Sequence, residues 1–323
     1  MNPGRGKTSD FIPARVTAAI LTYVPNEVGY FEDRFDVMRV CIESIIKNTQ
    51  EPFNLMVFDN GSSNKVVDYL RKQHDVGNID FLMLSHQNIG KISALQIIFK
   101  AVPGEIIAYC DDDVFFLPGW LKRHLKVIDT YPDVGAVSGM YIKPHMKEGI
   151  KATMQFAARQ DVKMEKGNLV DKDLEVHYIK NMGRTWEQYQ KEINGLEDVR
   201  MTFKGIQTYA SAGHYQFVAV KDRILKALPD KWKSNLMGQM HEFDIAIDEL
   251  KMLRVCTTPA TVRLLGNQIN QEGAEFIREF GINIESAEES TQMANWVVKF
   301  FQIPIIKKIA YSFYQRLFKI INA

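Results

Sequence analysis

The feature that most limits what this chain can become is an alternation between residues 15 and 140. Apolar runs of strand length take turns there with segments whose apolar residues recur every three or four positions. Residues 16–24 read as a strand and 31–49 as a helix, with Val37, Val40, Cys41 and Ile45 on one face. Strands then fall at 53–58, 79–84, 105–110 and 134–140, and helices at 65–73, 90–101 and 120–130. This order predicts βαβ units, right-handed crossovers and an α/β fold with a mostly parallel sheet flanked by helices. Such sheets hold ligands outside the carboxyl ends of their strands, so the loops that follow the strands are where chemistry is expected.

The most informative of these loops follows residues 105–110. The strand drives into Asp111-Asp112-Asp113, then Val114-Phe115-Phe116 and a Pro118-Gly119 turn. Three adjacent acids repel one another and are either solvated or set against cations. Alternation at an extended strand end would aim Asp111 and Asp113 one way and Asp112 the other. Two hard carboxylates on one side suit Mg2+ or Mn2+, which take oxygen ligands and share their shell with substrate phosphates. A solvated acidic turn is the plainer reading. The aromatic run behind the acids makes a poor surface loop, and it favours the metal.

Three more polar loops reach the same edge: Thr22-Tyr23-Val24-Pro25-Asn26-Glu27, Asp59-Asn60-Gly61-Ser62 and His86-Gln87-Asn88-Ile89-Gly90-Lys91. Asp59 could accept hydrogen bonds from a base N–H or a ribose hydroxyl. The glycine turn and Lys91 at a helix start are a place where backbone N–H groups and a cation meet a phosphate. Taken singly, Asp59 could be a turn cap and Asn88 an ordinary turn residue. Four loops together carry the weight. A Gly-x-Gly-x-x-Gly after the first strand is absent, which disfavours a nicotinamide-dinucleotide domain.

Charge and cysteine usage narrow the classes further. Lys plus Arg number 40 against 39 Asp plus Glu, so no global basic field argues for nucleic acid. Cys41, Cys110 and Cys256 are far apart, and they are expected to be reduced thiols in a reducing compartment. Residues 16–24 lie behind Arg5, Lys7 and Arg15, as in a secretory leader. Asp10 interrupts that basic stretch, no small-residue cleavage site follows, and Pro25-Asn26-Glu27 ends the run as a strand-to-loop turn would. Gly6-Lys7-Thr8 echoes a phosphate loop but lacks the earlier glycine and the preceding strand. No run approaches the ~18 uninterrupted apolar residues of a spanning helix.

Taken together, these motifs resemble the GT-A fold of nucleotide-sugar-dependent transferases, and the chain looks most like the inverting family-2 glycosyltransferases. The residues that carry the likeness are Leu21 to Glu27, Val57 to Asn64, Asn88 to Lys91, and Asp111-Asp112-Asp113 with Pro118-Gly119-Trp120-Leu121. The resemblance implies that Thr22, Glu27 and Asp59 hold the nucleoside and that Asn88 borders the donor. It further implies that Asp111 and Asp113 hold ribose and metal–diphosphate, with Mn2+ or Mg2+ as cofactor. Lys91 and Asp112 complete the expected nucleotide-sugar set. In the second half, Ser211-Ala212-Gly213-His214 stands where such enzymes have a glycine-containing acceptor loop. His241-Glu242-Phe243-Asp244 opens a helix where they have an acidic pair, which places Glu242 at the base position with Asp244 as its substitute. His241 or His214 would be a third metal ligand. The plainer readings are acids favoured by a helix dipole and a packed histidine.

The expected organisation is an arm at 1–14, a catalytic domain at 15–265 and a C-terminal helical extension at 266–323. Within the domain, 15–140 is the nucleotide-sugar side and 141–265 the acceptor side, whose stretch 141–204 has weak periodicity. From Ser290 onward there are five basic residues and no acids. Ile306, Ile309, Ala310, Phe313, Leu317, Ile320 and Ile321 share one helical face, the pattern of a helix lying on an anionic membrane, or packed on the catalytic domain or on a second subunit of a homo-oligomer. The expected function is metal-dependent transfer, with inversion, from a UDP-linked or similar sugar to a hydroxyl of a glycan, glycolipid or lipid-linked acceptor. The expected location is the cytoplasm, peripheral at the inner face of the membrane. Two rivals stand beside it: an Asp-x-Asp phosphatase or phosphotransferase with Asp111 as nucleophile, and a non-catalytic nucleotide-sugar-binding module.

Overall fold

The structure, a computed structural model, describes residues 5–6, 10–229, 236 and 240–284. The chain divides into two compact units, residues 1–268 and 269–323. The amphipathic segment expected near the C-terminus lies outside the described residues.

Twelve strands are formed among the described residues: β1 (Val16–Thr22), β2 (Phe53–Asp59), β3 (Phe81–Leu84), β4 (Ile106–Asp111), β5 (Val114–Phe116), β6 (Val134–Ser138), β7 (Lys163–Gly167), β8 (Asp198–Phe203), β9 (Ile206–Ala210), β10 (Gln216–Val220), β11 (Leu253–Thr257) and β12 (Val262–Leu264). Ten of them make one sheet in the order β3-β2-β1-β4-β10-β6-β11-β9-β8-β7, while β12 pairs only with β5. The run β3-β2-β1-β4 is parallel throughout, as the alternation requires. β10 then enters antiparallel between β4 and β6, and β7, β8 and β9 extend the far side antiparallel. The expected mixed α/β architecture, with a parallel central sheet flanked by helices, is the one observed.

The helices of the first half are α1 (Arg34–Asn48), α2 (Asn64–Asp75), α3 (Lys91–Ala101) and α4 (Trp120–Thr130). They cover both faces of the sheet. Met38, Cys41, Ile42 and Ile45 of α1 pack with Ala18, Ile20, Val57 and Cys110 on one face. Ile92, Leu95, Ile98 and Phe99 of α3 pack with Ala19, Leu21, Met56 and Tyr109 on the other. β1 is therefore buried on both sides, which is why its sequence is a continuous apolar run rather than an alternating one. Each such fully buried aliphatic side chain contributes roughly 1.5–3 kcal/mol. All three cysteines are free and buried.

The second half holds α5 (Lys151–Ala157), α6 (Lys172–Asn181), α7 (Trp186–Glu192), α8 (Lys221–Ile224) and α9 (Met240–Glu249). The helix expected to run from 241 to 253 stops at Glu249, and Leu253 already belongs to β11, which pairs parallel with β6. In the second unit α10 (Gln271–Glu279) is capped by the side chain of Asn270, which accepts from Gly273 N–H at 2.8 Å. No helix among the described residues is long and apolar enough to cross a membrane.

Candidate active site

The three acids sit where the sheet ends. Extended backbone stops at Asp111, and Asp112 and Asp113 form the turn into β5. β5 is buried and pairs antiparallel with β12, Val262 opposite Phe116, so the aromatic run is a strand of its own. Asp112 points inward and is almost wholly buried, whereas the side chains of Asp111 and Asp113 are 27% and 28% exposed. The inward turn of Asp112 follows from its partners rather than from strict alternation.

Each acid is met from a different element. Thr22 Oγ1 at the end of β1 donates to Asp112 Oδ2 at 2.6 Å, and the Tyr23 N–H reaches the same oxygen at 3.3 Å. Lys91 Nζ donates to Asp111 Oδ2 at 2.6 Å, and the Tyr109 hydroxyl donates to Asp111 Oδ1 at 2.5 Å. Burial, then repulsion from Asp111, pushes the Tyr109 phenol well above its ordinary range, so it stays a donor.

The third partner was not picked out by the sequence reading. The buried guanidinium of Arg34 bonds Asp112 Oδ1 through Nη2, and through Nη1 it reaches Asp113 Oδ2 at 3.2 Å and the Gly266 carbonyl at 3.3 Å. Burial opposes the charge on Arg34, but Asp112 and Asp113 outweigh it and hold its pKa above the ordinary value. Arg34 and Lys91 are the first residues of α1 and α3. A cation at a helix N-terminus runs against the helix dipole, and that misplacement is the signal that could have found Arg34. Burial raises the Asp113 pKa, Arg34 pulls it down, and Asp111 and Asp112 push it up again, leaving it at about 6.

The neighbouring loops are cross-braced. Asp59 is buried and accepts the N–H groups of Gly61 at 3.3 Å and Ser62 at 3.2 Å, so it does cap its own turn. Burial raises its pKa, and the Ser62 and Gly61 bonds pull the other way. Asn60 Nδ2 donates to Asn88 Oδ1 at 3.0 Å, while Asn60 Oδ1 accepts Ile89 N–H at 2.9 Å. Gly61, at φ +88°, lies so close to the third loop that a Cβ would fall 2.7 Å from the Gln87 carbonyl carbon. Only glycine satisfies both demands. Glu27 is on the outer rim, bonded to Lys65 Nζ at 2.5 Å.

The residues expected on the acceptor side form a separate group. Asp244 on α9 is buried, and its Oδ2 is 2.9 Å from both Arg254 Nη2 on β11 and His214 Nδ1. His145 stacks on His214 with ring centroids 5.5 Å apart. Glu242 and His241 are exposed in the first turn of α9. Thus Thr22, Lys91, Asp111, Asp112 and Asp113 come together, Asp59 and Asn88 join them through loop contacts, and Asp244 and His214 meet each other.

The edge suits a divalent cation on chemical grounds. Its donors are half-exposed carboxylates, and both of them already attract a positive group. Among the described residues no set of three or more His, Cys, Asp or Glu side chains is arranged to hold a metal. Asp111 and Asp113 would therefore leave most of the shell to phosphate oxygens and water, the usual manner of Mg2+.

Residues 29–185 match the family model for Glycosyl transferase family 2. The glucosyl-dolichyl phosphate glucuronosyltransferase of Haloferax volcanii is 26% identical over 115 residues, covering 35% of this chain and 36% of that one. The glycosyltransferase YwdF of Bacillus subtilis is 27% identical over 117 residues, covering 36% of this chain and 39% of that one. The match thus spans little more than a third of the curated relatives' length. Among solved structures, S. aureus TarS 1–349 is 13% identical over 84% of this chain and 66% of its own, with a TM-score of 0.45. The mannosyltransferase PcManGT from Pyrobaculum calidifontis, in complex with GDP-Man and Mn2+, is 22% identical over 43% of this chain and 40% of its own, with a TM-score of 0.33.

Proposed function

We propose, from the premise that this chain carries a family-2 glycosyltransferase domain, that it moves a sugar from a nucleoside diphosphate to an acceptor hydroxyl with inversion at the anomeric carbon. The observation that supports this most is the convergence on the acid triplet: a threonine, a lysine and an arginine from three separate elements each bind one or two of its members. A turn so supplied with positive groups and helix N-termini has the character of a diphosphate site.

Asp59 and the Thr22 loop line the nucleoside end. Asp113 and Asp111 would hold Mn2+ or Mg2+, whose charge offsets that growing on the departing diphosphate. Lys91, at the start of α3, adds a fixed cation to the same end, an electrostatic contribution that needs no reorganisation during transfer. Of the two candidate acids in the first half of α9, Asp244 is committed to Arg254 and His214, while Glu242 is exposed. The name of the Haloferax volcanii relative makes a lipid-linked phosphosugar the first acceptor class to test.

The deciding experiment is a thermal-shift and donor-hydrolysis screen of UDP- and GDP-linked sugars with Mn2+, Mg2+ or chelator. Stabilisation and metal-dependent release of nucleoside diphosphate by one donor are expected. Binding without turnover on any donor would point to the non-catalytic module, and release of phosphate from simple monoesters to the phosphatase.

A further inference from the structure

We infer that the proton of the acceptor hydroxyl is taken by Nε2 of His214, held in place by Asp244, rather than by the carboxylate of Glu242. The inference rests on the transferase reading above and names a residue that reading leaves open.

The placement comes from the sheet. β10 pairs antiparallel with β4, Gln216 opposite Cys110, and the next step brings the Tyr215 carbonyl to the Asp111 N–H at 2.8 Å. His214 therefore leaves the sheet at the same edge as the acid triplet. Its loop is fixed from below, since Gly213 N–H donates to Ser138 Oγ at 2.7 Å and the Tyr215 hydroxyl donates to the Met140 carbonyl at 2.7 Å.

The tautomer comes from chemistry. An ionised carboxylate can only accept, so the imidazole nitrogen 2.9 Å from Asp244 Oδ2 must carry the hydrogen. That nitrogen is Nδ1, which leaves the lone pair of the neutral ring on Nε2. The side chain is 30% exposed, and no hydrogen bond is made to Nε2 among the described residues. Arg254, almost wholly buried, reaches the same Asp244 oxygen through Nη2 at 2.9 Å. The groups facing His214 are thus Asp244 from α9, Arg254 from β11 behind it, and His145 from the 3-10 turn Lys143–Lys147. Burial, then repulsion from His214, lowers the His145 pKa to about 3, so the ring stacked on His214 stays neutral. A carboxylate already shared by a guanidinium and an imidazole is a poor base but a good orienter.

In the step itself, the acceptor oxygen bonds to the anomeric carbon as its proton passes to Nε2. The bond from that carbon to the diphosphate oxygen breaks, and its electron pair leaves with the nucleoside diphosphate. The imidazolium, facing Asp244, returns its proton to water after the product departs. Asp244 is a positioning residue.

The test uses the full chain and the nucleotide sugar that the wild type hydrolyses fastest in the screen above. His214→Asn and His214→Gln are expected to lower kcat about 100-fold with donor KM little changed. Asp244→Asn is expected to lower kcat about tenfold with donor KM unchanged, and Glu242→Gln to cost kcat much less than either His214 variant. Diethyl pyrocarbonate with mass spectrometry reads the free ring nitrogen without any substrate: His214 should be modified in the wild type. His214 variants within threefold of wild type, or a Glu242→Gln variant that alone abolishes turnover, would overturn the assignment while leaving the transferase reading intact. A wild type that turns over no nucleotide sugar would overturn both.

Discussion

The molecule keeps two sets of buried or half-buried charges, and they are built for different purposes. At the acid triplet, acids outnumber cations: Asp111, Asp112 and Asp113 face Lys91 and Arg34, and two of the acids remain more than a quarter exposed. Between α9 and β11, one acid, Asp244, is matched by one guanidinium and one imidazole, and both Asp244 and Arg254 are buried. The first set has negative charge left over and open to solvent, and a ligand can complete it. The second is already complete, and it fixes geometry. Exchangeable charge and fixed charge can thus be told apart by their balance and their access to water.

The largest expected effect breaks the donor side. Asp113→Ala should abolish metal-dependent turnover, a loss of about 1,000-fold or more, and should weaken Mn2+ binding in a calorimetric titration of the free protein. Next come two arginines compared directly by urea unfolding. Arg34→Met and Arg254→Met each strip the partner from a buried carboxylate, so each should cost about 3–5 kcal/mol. Millimolar Mn2+ should restore much of that loss in Arg34→Met and none in Arg254→Met. Equal rescue, or none in either, would erase the distinction between the two sets.

Acid should separate the two regions with opposite signs. His145 has its pKa lowered to about 3 by burial, so its contribution to stability is present above the unfolded value of about 6.5 and is lost as pH falls below it. Asp113 is raised to about 6, so protonation stabilises the fold as pH falls through that value. Between pH 7.5 and 5, in chelator, His145→Phe should recover about 2 kcal/mol of the acid loss. Asp113→Asn should deepen that loss by about 1 kcal/mol. The smallest effect concerns the tail: truncation at Gln292 should reduce co-sedimentation with anionic liposomes, and equal binding by both forms would sink the membrane reading.

The first half was legible because its polar loops follow its chain order. Each strand is a continuous apolar run, and each loop after it carries its polar residues in a short block, so Thr22, Asp59, Asn88 and Asp111 could be placed on one edge from spacing alone. Arg34 escaped because its partners lie 78 and 79 residues away and nothing local demands a cation there. The buried polar pairs of the second half join such distant residues: His214 with Asp244 across 30 residues, Thr153 with Arg254 across 101. β7 reads Lys-Met-Glu-Lys-Gly and is largely exposed at the sheet's edge, so no apolar pattern announced it. β5 is three residues long, too short for periodicity to register. Glu242 and Asp244 were both placed at the start of a helix, but sequence spacing could not tell which would be spoken for by a buried arginine.

The antiparallel entry of β10 between β4 and β6 has a consequence for how the protein is made. During synthesis the parallel strands β3-β2-β1-β4 are complete about a hundred residues before Gln216–Val220 emerges. Until then the far edge of β4, which ends in Asp111, is an unpaired template open to foreign strands. Closing it joins residues far apart in the chain, the kind of contact that slows folding. The nascent parallel half is therefore exposed at the strand that ends in the acid triplet, and its protection arrives with the segment that brings His214 to the same edge.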